Sequence, residues 1–122
     1  MTNDHVTVVY KWTAQPGKLG ELTDIYRSVT DAMEQNEPGA ETVHVYVSEA
    51  ENALYVRDEF VDANAVGFHL GTTAAGHFGD LSAIATPGPF FFLGDVPDEM
   101  KAQIEQMQLD GQFATHAAGF DR

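Results

Sequence analysis

The 122-residue sequence contains no cysteine, few basic residues and no long apolar run. Without cysteine the chain can form no disulfide, no thiolate metal site and no cysteine nucleophile. No apolar stretch approaches the roughly 18 residues of a membrane span. The opening MTNDHVTVVYKW lacks the basic and apolar regions of a signal peptide. We therefore expect a cytoplasmic protein that does not bind membranes.

The charge balance is strongly one-sided. Nineteen acidic residues stand against six scattered basic ones, which gives a net charge of −13. Because no basic stripe is available to neutralise phosphates, nucleic acid is a poor partner. The aromatic residues (one Trp, four Tyr and eight Phe) and a hydrophobic content of 43% are typical of one folded domain with a core of its own.

Period-two alternation predicts strands, and steps of three and four residues predict helices. Strand patterns cover 5–13, 41–48, 53–61 and 90–93, and helical patterns cover 18–37, 62–70, 74–84 and 97–110. The order β-α-β-β-α-β is the ferredoxin-like arrangement of an α+β protein, with a four-stranded antiparallel sheet and an extra C-terminal helix. Residues 1–96 are predicted to form this domain, and 97–122 to add a helix and a tail without periodicity beyond 112.

Both faces of the predicted sheet carry bulky residues. In the second strand, Val43 and Val45 point to one side, while His44 and Tyr46 point to the other. A sheet with one solvated face should have one clearly polar face. We therefore expect the second face to pack against the sheet of another subunit in a twofold homodimer.

One stretch carries a family resemblance. The acid, aromatic, acidic cap, Ala-apolar pair and histidine of the segment 58–69 follow a common spacing, at Asp58, Phe60, Asp62, Ala65, Val66 and His69. His77-Phe78 and Pro16-Gly17 add to the pattern. Over about residues 5 to 95 the chain resembles the antibiotic biosynthesis monooxygenase-like family of dimeric α+β barrels. It departs from the family in having aspartate at 58, where glutamate is commoner, and a longer gap before His77.

The resemblance implies oxidation of a small aromatic, phenolic or quinol-type molecule by O₂ with neither metal nor flavin. The haem-degrading branch of the superfamily uses an Asn, a Trp and a haem-ligating His. The first strand, VTVVYKWT, has no Asn, and no Trp lies at the matching position upstream of either His69 or His77. Haem is thus a disfavoured cofactor, and we expect none.

His69 and Asp58 are the predicted catalytic residues. An imidazole with a pKa near 6.5 can take a proton from a phenol at neutral pH. Alternatively, His69 only ends a helix and meets its last carbonyls. A carboxylate on the buried face of a strand must be paired, hydrogen-bonded or protonated. Asp58 is therefore expected either to orient His69 or to cap a helix.

The predicted binding residues are mostly aromatic: Tyr10, Trp12, Phe60, Phe68 and His77. Ordinary core packing explains the aromatic residues equally well, because pockets and cores use the same side chains, and His77 suits a capping or packing role. A metal site is not expected. His69 and His77 would lie about 12 Å apart along one helix, too far for both to reach a zinc ion at about 2.1 Å.

Two further functions stay open. A dimer of this kind could bind a small hydrophobic ligand without catalysis. It could also be a scaffold or stress-response protein whose cavity is filled by Phe90, Phe91 and Phe92.

Overall fold

The computed structural model describes residues 4–122, so the first three residues of the predicted domain 1–96 lie outside it. The chain forms five strands and four helices in these described residues. In chain order they are β1 (Val6–Ala14), α1 (Leu19–Asn36), β2 (Ala40–Ser48), β3 (Ala53–Phe60), α2 (Ala63–Gly71), α3 (Thr73–Ile84), β4 (Ala85–Gly94), α4 (Asp98–Gln106) and β5 (Gly111–Ala114).

The sheet has the strand order β2-β3-β1-β4-β5, with β1 at its centre. β1 pairs antiparallel with both β3 and β4, as a ferredoxin-like arrangement requires. Alternate residues of β1 are buried beneath the helices, among them Val8, Tyr10 and Trp12. The helices cover this inner face, where the apolar stripe of α1 packs with Leu22, Tyr26, Val29 and Met33.

The prediction of a four-stranded, fully antiparallel sheet is wrong at one edge of the sheet. β5 pairs with β4 in parallel, so the sheet is five-stranded and mixed, and part of the expected tail is a strand. Four residues are too few to show a period, which is why the sequence pattern missed this strand. The ring of Phe113 stacks on Phe92 with centroids 5.3 Å apart and holds β5 in place. The last helix also ends earlier than 110, since Gln108 takes a positive φ of 60°.

β4 begins at Ala85, before the predicted start at Phe90. Its first half contains Pro87 and Pro89, which cannot donate to a ladder and so concealed the strand. The pairing of β1 with β4 shifts register between Tyr10 and Trp12, next to these prolines. The other predicted elements lie within a few residues of their expected positions.

The entry to α2 fixes where its histidine lies. Asp62 caps the helix as predicted, because its Oδ1 accepts a hydrogen bond from the Ala65 amide at 2.9 Å. A Cβ on Gly39 would lie 2.6 Å from the Ala65 Cβ, so only glycine allows α2 to approach the start of β2 this closely. The close approach brings the end of α1 next to α2.

Among residues 4–122, no helix covers the outer face of the sheet. Among its side chains, Tyr46 is 54% exposed, Phe91 42% and Leu93 40%. Within residues 4–122, no helix combines the length and the apolar character needed to cross a membrane.

Candidate functional site

A cavity of about 100 Å³ lies between the inner face of the sheet and the helices that cover it. Its wall is largely apolar and includes Val8, Val29, Val66, Leu70, Leu81, Phe90 and Phe92. The polar side chains in the wall are few: Tyr10, Tyr26, Asp58, His69 and His77, together with the indole of Trp12. A concave apolar pocket with a few convergent polar groups is the usual form of a small-molecule site.

His69 is paired with Glu37, a residue at the C-terminal end of α1. His69 is 6% exposed and Glu37 3%. The Nδ1 atom of His69 lies 3.0 Å from Oε2 and 3.2 Å from Oε1 of Glu37. A carboxylate can only accept, so Nδ1 carries a proton and donates it. In the neutral imidazole, Nε2 is then left as the basic atom.

The electrostatics of Glu37 favour an ionised carboxylate. Burial raises the pKa of Glu37, but hydrogen bonds from His69 and Thr73 outweigh this and hold the pKa below its usual value. An ionised partner fixes the orientation of the imidazole and stabilises the positive charge that forms when Nε2 takes a proton. The pair therefore has the form of a general base with its orienting carboxylate.

Of the two roles considered for Asp58, the hydrogen bond to His69 is made by Glu37 instead, because α1 ends directly beside α2. Asp58 also caps no helix, since the cap of α2 is Asp62. Instead, Oδ2 of Asp58 accepts a hydrogen bond from the Tyr10 hydroxyl at 3.1 Å. The Tyr10 oxygen in turn accepts one from Tyr26 at 3.3 Å.

Burial dominates the acidity of this second group. It raises the pKa of Asp58 to about 6, against the opposing effects of His69 and the Tyr10 hydrogen bond. Burial also raises the pKa of Tyr10 and of Tyr26 above their usual values. Both phenols therefore keep their protons at neutral pH and act as hydrogen-bond donors.

Two buried polar atoms in the described part of the chain have no hydrogen-bond partner there, and both belong to residues of this cavity. They are Nε1 of Trp12 and Oδ1 of Asp58. The Trp12 indole N–H is close enough to the Tyr26 hydroxyl to lower its pKa, although it does not reach hydrogen-bond geometry. Unpaired buried polar atoms are rare in native proteins and call for an explanation.

Most of the predicted binding residues meet in the cavity wall. Tyr10 stacks on Phe90 at 4.8 Å, and the ring of Phe60 lies 5.5 Å from that of His69. Trp12 makes an edge contact with Phe78 at 5.9 Å. Phe68 is the exception. It is 51% exposed, because the face of α2 that carries His69 turns towards the sheet and Phe68 lies on the other side of the helix.

His77 also lines the cavity. Its Nδ1 lies 2.9 Å from the carbonyl oxygen of Thr73, one turn earlier in α3, and donates to it. This bond satisfies a helix carbonyl and fixes the ring, which agrees with the packing role considered for it. It also leaves Nε2 as the basic atom in the neutral ring.

Sequence reasoning missed three contributions to the site. The sequence pattern places Glu37 only at a helix end, although an acid at a helix C-terminus opposes the macrodipole and so signals a special role. Tyr26 follows the helical spacing of α1, and that spacing gives no sign that its hydroxyl donates to Tyr10 in the site. Met107 and Leu109, from the segment between α4 and β5, also line the cavity. No periodicity indicated that this segment folds back.

Within residues 4–122, no three His, Asp or Glu side chains converge as metal ligands. His69 and His77 are each committed at Nδ1 to a different partner. A cavity of about 100 Å³ is too small for a haem macrocycle.

Comparison with known proteins places these features in a family. The model of the family described as antibiotic biosynthesis monooxygenase matches residues 5–80. MupZ from Pseudomonas fluorescens is similar in structure, with a TM-score of 0.83 at 16% identity over 100% of this chain and 92% of its own. SnoaB from Streptomyces nogalater, a cofactor-independent oxygenase, gives 0.65 at 18% identity over 77% of this chain and 95% of its own. No curated protein matches the sequence.

Proposed function

The chain belongs to the antibiotic biosynthesis monooxygenase family, and from this premise we propose that it oxidises a small phenolic or quinol-type aromatic molecule with O₂ and without a bound cofactor. The observation that carries the proposal is the buried Glu37–His69 pair in the wall of an apolar cavity. The structural similarity to SnoaB, a cofactor-independent oxygenase, supports it.

The first step is a proton transfer. Nε2 of His69 takes the proton of the substrate hydroxyl, and Glu37 stabilises the imidazolium through Nδ1. The phenolate gives one electron to O₂ far more readily than the phenol does. The resulting superoxide and phenoxyl radical combine at a ring carbon to form a peroxide.

Breakage of the O–O bond with loss of the ring hydrogen then leaves a carbonyl and releases water. One oxygen atom enters the product and the other forms water, and the substrate supplies all the electrons. No external reductant is needed.

The size and character of the cavity suit this chemistry. An apolar cavity of roughly 150 Å³ binds benzene, so about 100 Å³ accommodates one aromatic ring with small adjustments of the wall. Apolar walls also admit O₂ and keep water away from the radical pair. The cavity volume therefore favours a substrate with a single ring, and the apolar lining favours an aromatic one.

We expect single-ring quinols to raise the melting temperature of the protein and to support oxygen uptake. A thermal-shift screen of quinols, larger phenols and haem, followed by oxygen-electrode measurements on each ligand that binds, checks this. Binding without oxygen uptake would replace the monooxygenase with a ligand-binding protein. The absence of any shift would favour a scaffold or stress-response protein whose cavity is filled by its own side chains.

We also propose that the protein acts as a homodimer through the outer face of its sheet. The exposed rings of Tyr46 and Phe91 and the side chain of Leu93 lie on that face, on the second and fourth strands of the chain, opposite the cavity. Burying these side chains is favourable at about 25 cal/mol per Å². A second copy, related by a twofold axis, would place the same residues against one another.

Light scattering after size exclusion is expected to give about 27 kDa, twice the 13.3 kDa of one chain. Phe91→Asp should reduce this mass to that of the monomer, because the charge would be buried in the interface. Phe120→Asp is the matched control, since Phe120 is 77% exposed in the C-terminal segment and should leave the mass unchanged. A wild-type protein of about 13 kDa would contradict the dimer.

A further inference from the structure

A groove on the surface of the protein adjoins the cavity. It lies between α2 and α4 and has a volume of about 330 Å³. Leu70, in α2, and Met107, directly after α4, line both this groove and the cavity whose wall includes His69. The two spaces therefore share part of one wall, and a substituent on a ring in the cavity reaches the groove by passing these two side chains.

The groove is formed by one face of each helix. Its lining residues recur at steps of three and four, the spacing of a single helix face. They are Gly67, Leu70 and Gly71 from α2, and Met100, Gln103, Ile104 and Met107 from α4 and its end, with Gln106 beside them. None of these side chains carries a charge, and only the two glutamines offer hydrogen-bonding groups. The groove therefore suits an uncharged and mainly apolar chain.

The side chains at the junction of the two spaces leave room for such a chain. Met107 is 44% exposed and Leu70 is half-buried, so neither is enclosed in the core. An unbranched methionine adapts its shape to whatever lies against it. At the end of α2, a Cβ on Gly71 would meet no atom within 4 Å. We therefore expect rotation of Met107 to open the passage without movement of either helix.

The length of the groove sets the length of the chain. From Met100 to Met107 the helix advances about 10 Å, at roughly 1.5 Å per residue. An extended chain covers about 1.2 Å per bond, since the three backbone bonds of a residue span about 3.5 Å. About eight bonds therefore follow the groove from end to end. Because α4 lies beyond the residues 5–80 that match the family model, this groove is not implied by the family match.

We propose that the substrate is a phenolic ring bearing an uncharged apolar chain of roughly six to eight carbons, with the ring in the cavity and the chain in the groove between α2 and α4. This rests on the proposed function of the cavity and adds a second binding subsite to it. Gly71 and Met107 are then the residues that determine specificity for the chain, while His69 acts on the ring.

Calorimetry under nitrogen tests the proposal by comparing phenol with 2-, 3- and 4-hexylphenol. The three isomers direct the chain differently from the hydroxyl that faces His69. At least one isomer should bind the wild-type protein about 10- to 100-fold more tightly than phenol, because each fully buried methylene strengthens binding roughly fourfold and the open groove buries the chain in part. Equal affinities, or no binding by any hexylphenol, would overturn the proposal.

Gly71→Leu should abolish the gain from the chain and leave phenol binding unchanged, because the new side chain fills the groove and not the cavity. Gly79→Leu is the matched control. A Cβ at this helical glycine also meets no atom within 4 Å, and residue 79 lines neither the groove nor the cavity. A gain that survives in Gly71→Leu would contradict the groove. A lower mass of Gly71→Leu in light scattering would assign the groove to a second copy of the chain and would also overturn the proposal.

Binding is measured without oxygen, so its result is independent of turnover. Chain-dependent binding without oxygen uptake in air would support the groove and refute the monooxygenase. Oxygen uptake with single-ring quinols whose affinity does not change when a chain is added would do the reverse.

Discussion

Replacing His69 by alanine is expected to lower kcat/KM for quinol oxidation about 1,000-fold. A positioned general base contributes roughly 10²- to 10⁴-fold to a reaction, and no other group in the wall combines a basic atom with a carboxylate partner. His77, also in the wall, is held by a carbonyl and lacks such a carboxylate. Oxygen uptake at several quinol concentrations measures the effect. His116→Ala, in the exposed C-terminal segment, is the matched control.

Glu37→Gln is expected to lower activity less than His69→Ala does. Its amide oxygen can still accept from Nδ1, so the imidazole keeps its orientation but loses the charge that stabilises the imidazolium. We expect kcat/KM to fall about 10- to 100-fold, with the pH profile of kcat/KM displaced. Glu41→Gln is the control, because Glu41 pairs with His5 at 3.1 Å on the surface. If His69→Ala kept wild-type activity, or if Glu37→Gln and Glu41→Gln behaved alike, the assigned roles would be wrong.

Much of the fold could be predicted because it depends on local patterns. The alternation in β1 and the apolar stripe of α1 are set by burial of one face, which the sequence shows directly. The strand β5 could not be predicted in this way. Four residues have no period, and their pairing with β4 depends on where α4 returns the chain.

The site residues also differ in whether local sequence patterns reveal them. His69 could be identified from its spacing to Asp58 and Asp62, which are close in sequence. Its partner Glu37 lies 32 residues earlier and meets it only because α1 ends beside α2. Sequence spacing does not give contacts between separate elements, so it suggested Asp58 as the carboxylate beside His69, whereas the structure places Glu37 there.

Asp58→Asn is expected to make the protein more stable at neutral pH, and the gain should depend on pH. In the folded protein, burial raises the pKa of Asp58 from an ordinary 3.8 to about 6. Below pH 3 the carboxyl is protonated in both the folded and the unfolded protein, so it then has no pH-dependent effect on the free energy of unfolding. Between about pH 4 and 6 the unfolded chain loses the proton while the folded chain keeps it. The free energy of unfolding of the wild type therefore falls as the pH rises through this range.

A shift of about two units in the pKa of Asp58 corresponds to about 3 kcal/mol in the free energy of unfolding. Urea denaturation of both proteins from pH 3 to pH 8 should show their stability difference rising by this amount in favour of asparagine, mostly between pH 4 and 6. Subtracting the two curves cancels the groups that titrate alike in both proteins. Such a gain would mean that the native carboxylate is retained at a cost in stability, as expected of a group selected for binding. A difference that stays constant with pH would show that Asp58 is compensated within the folded chain, and its unpaired oxygen would then need no ligand.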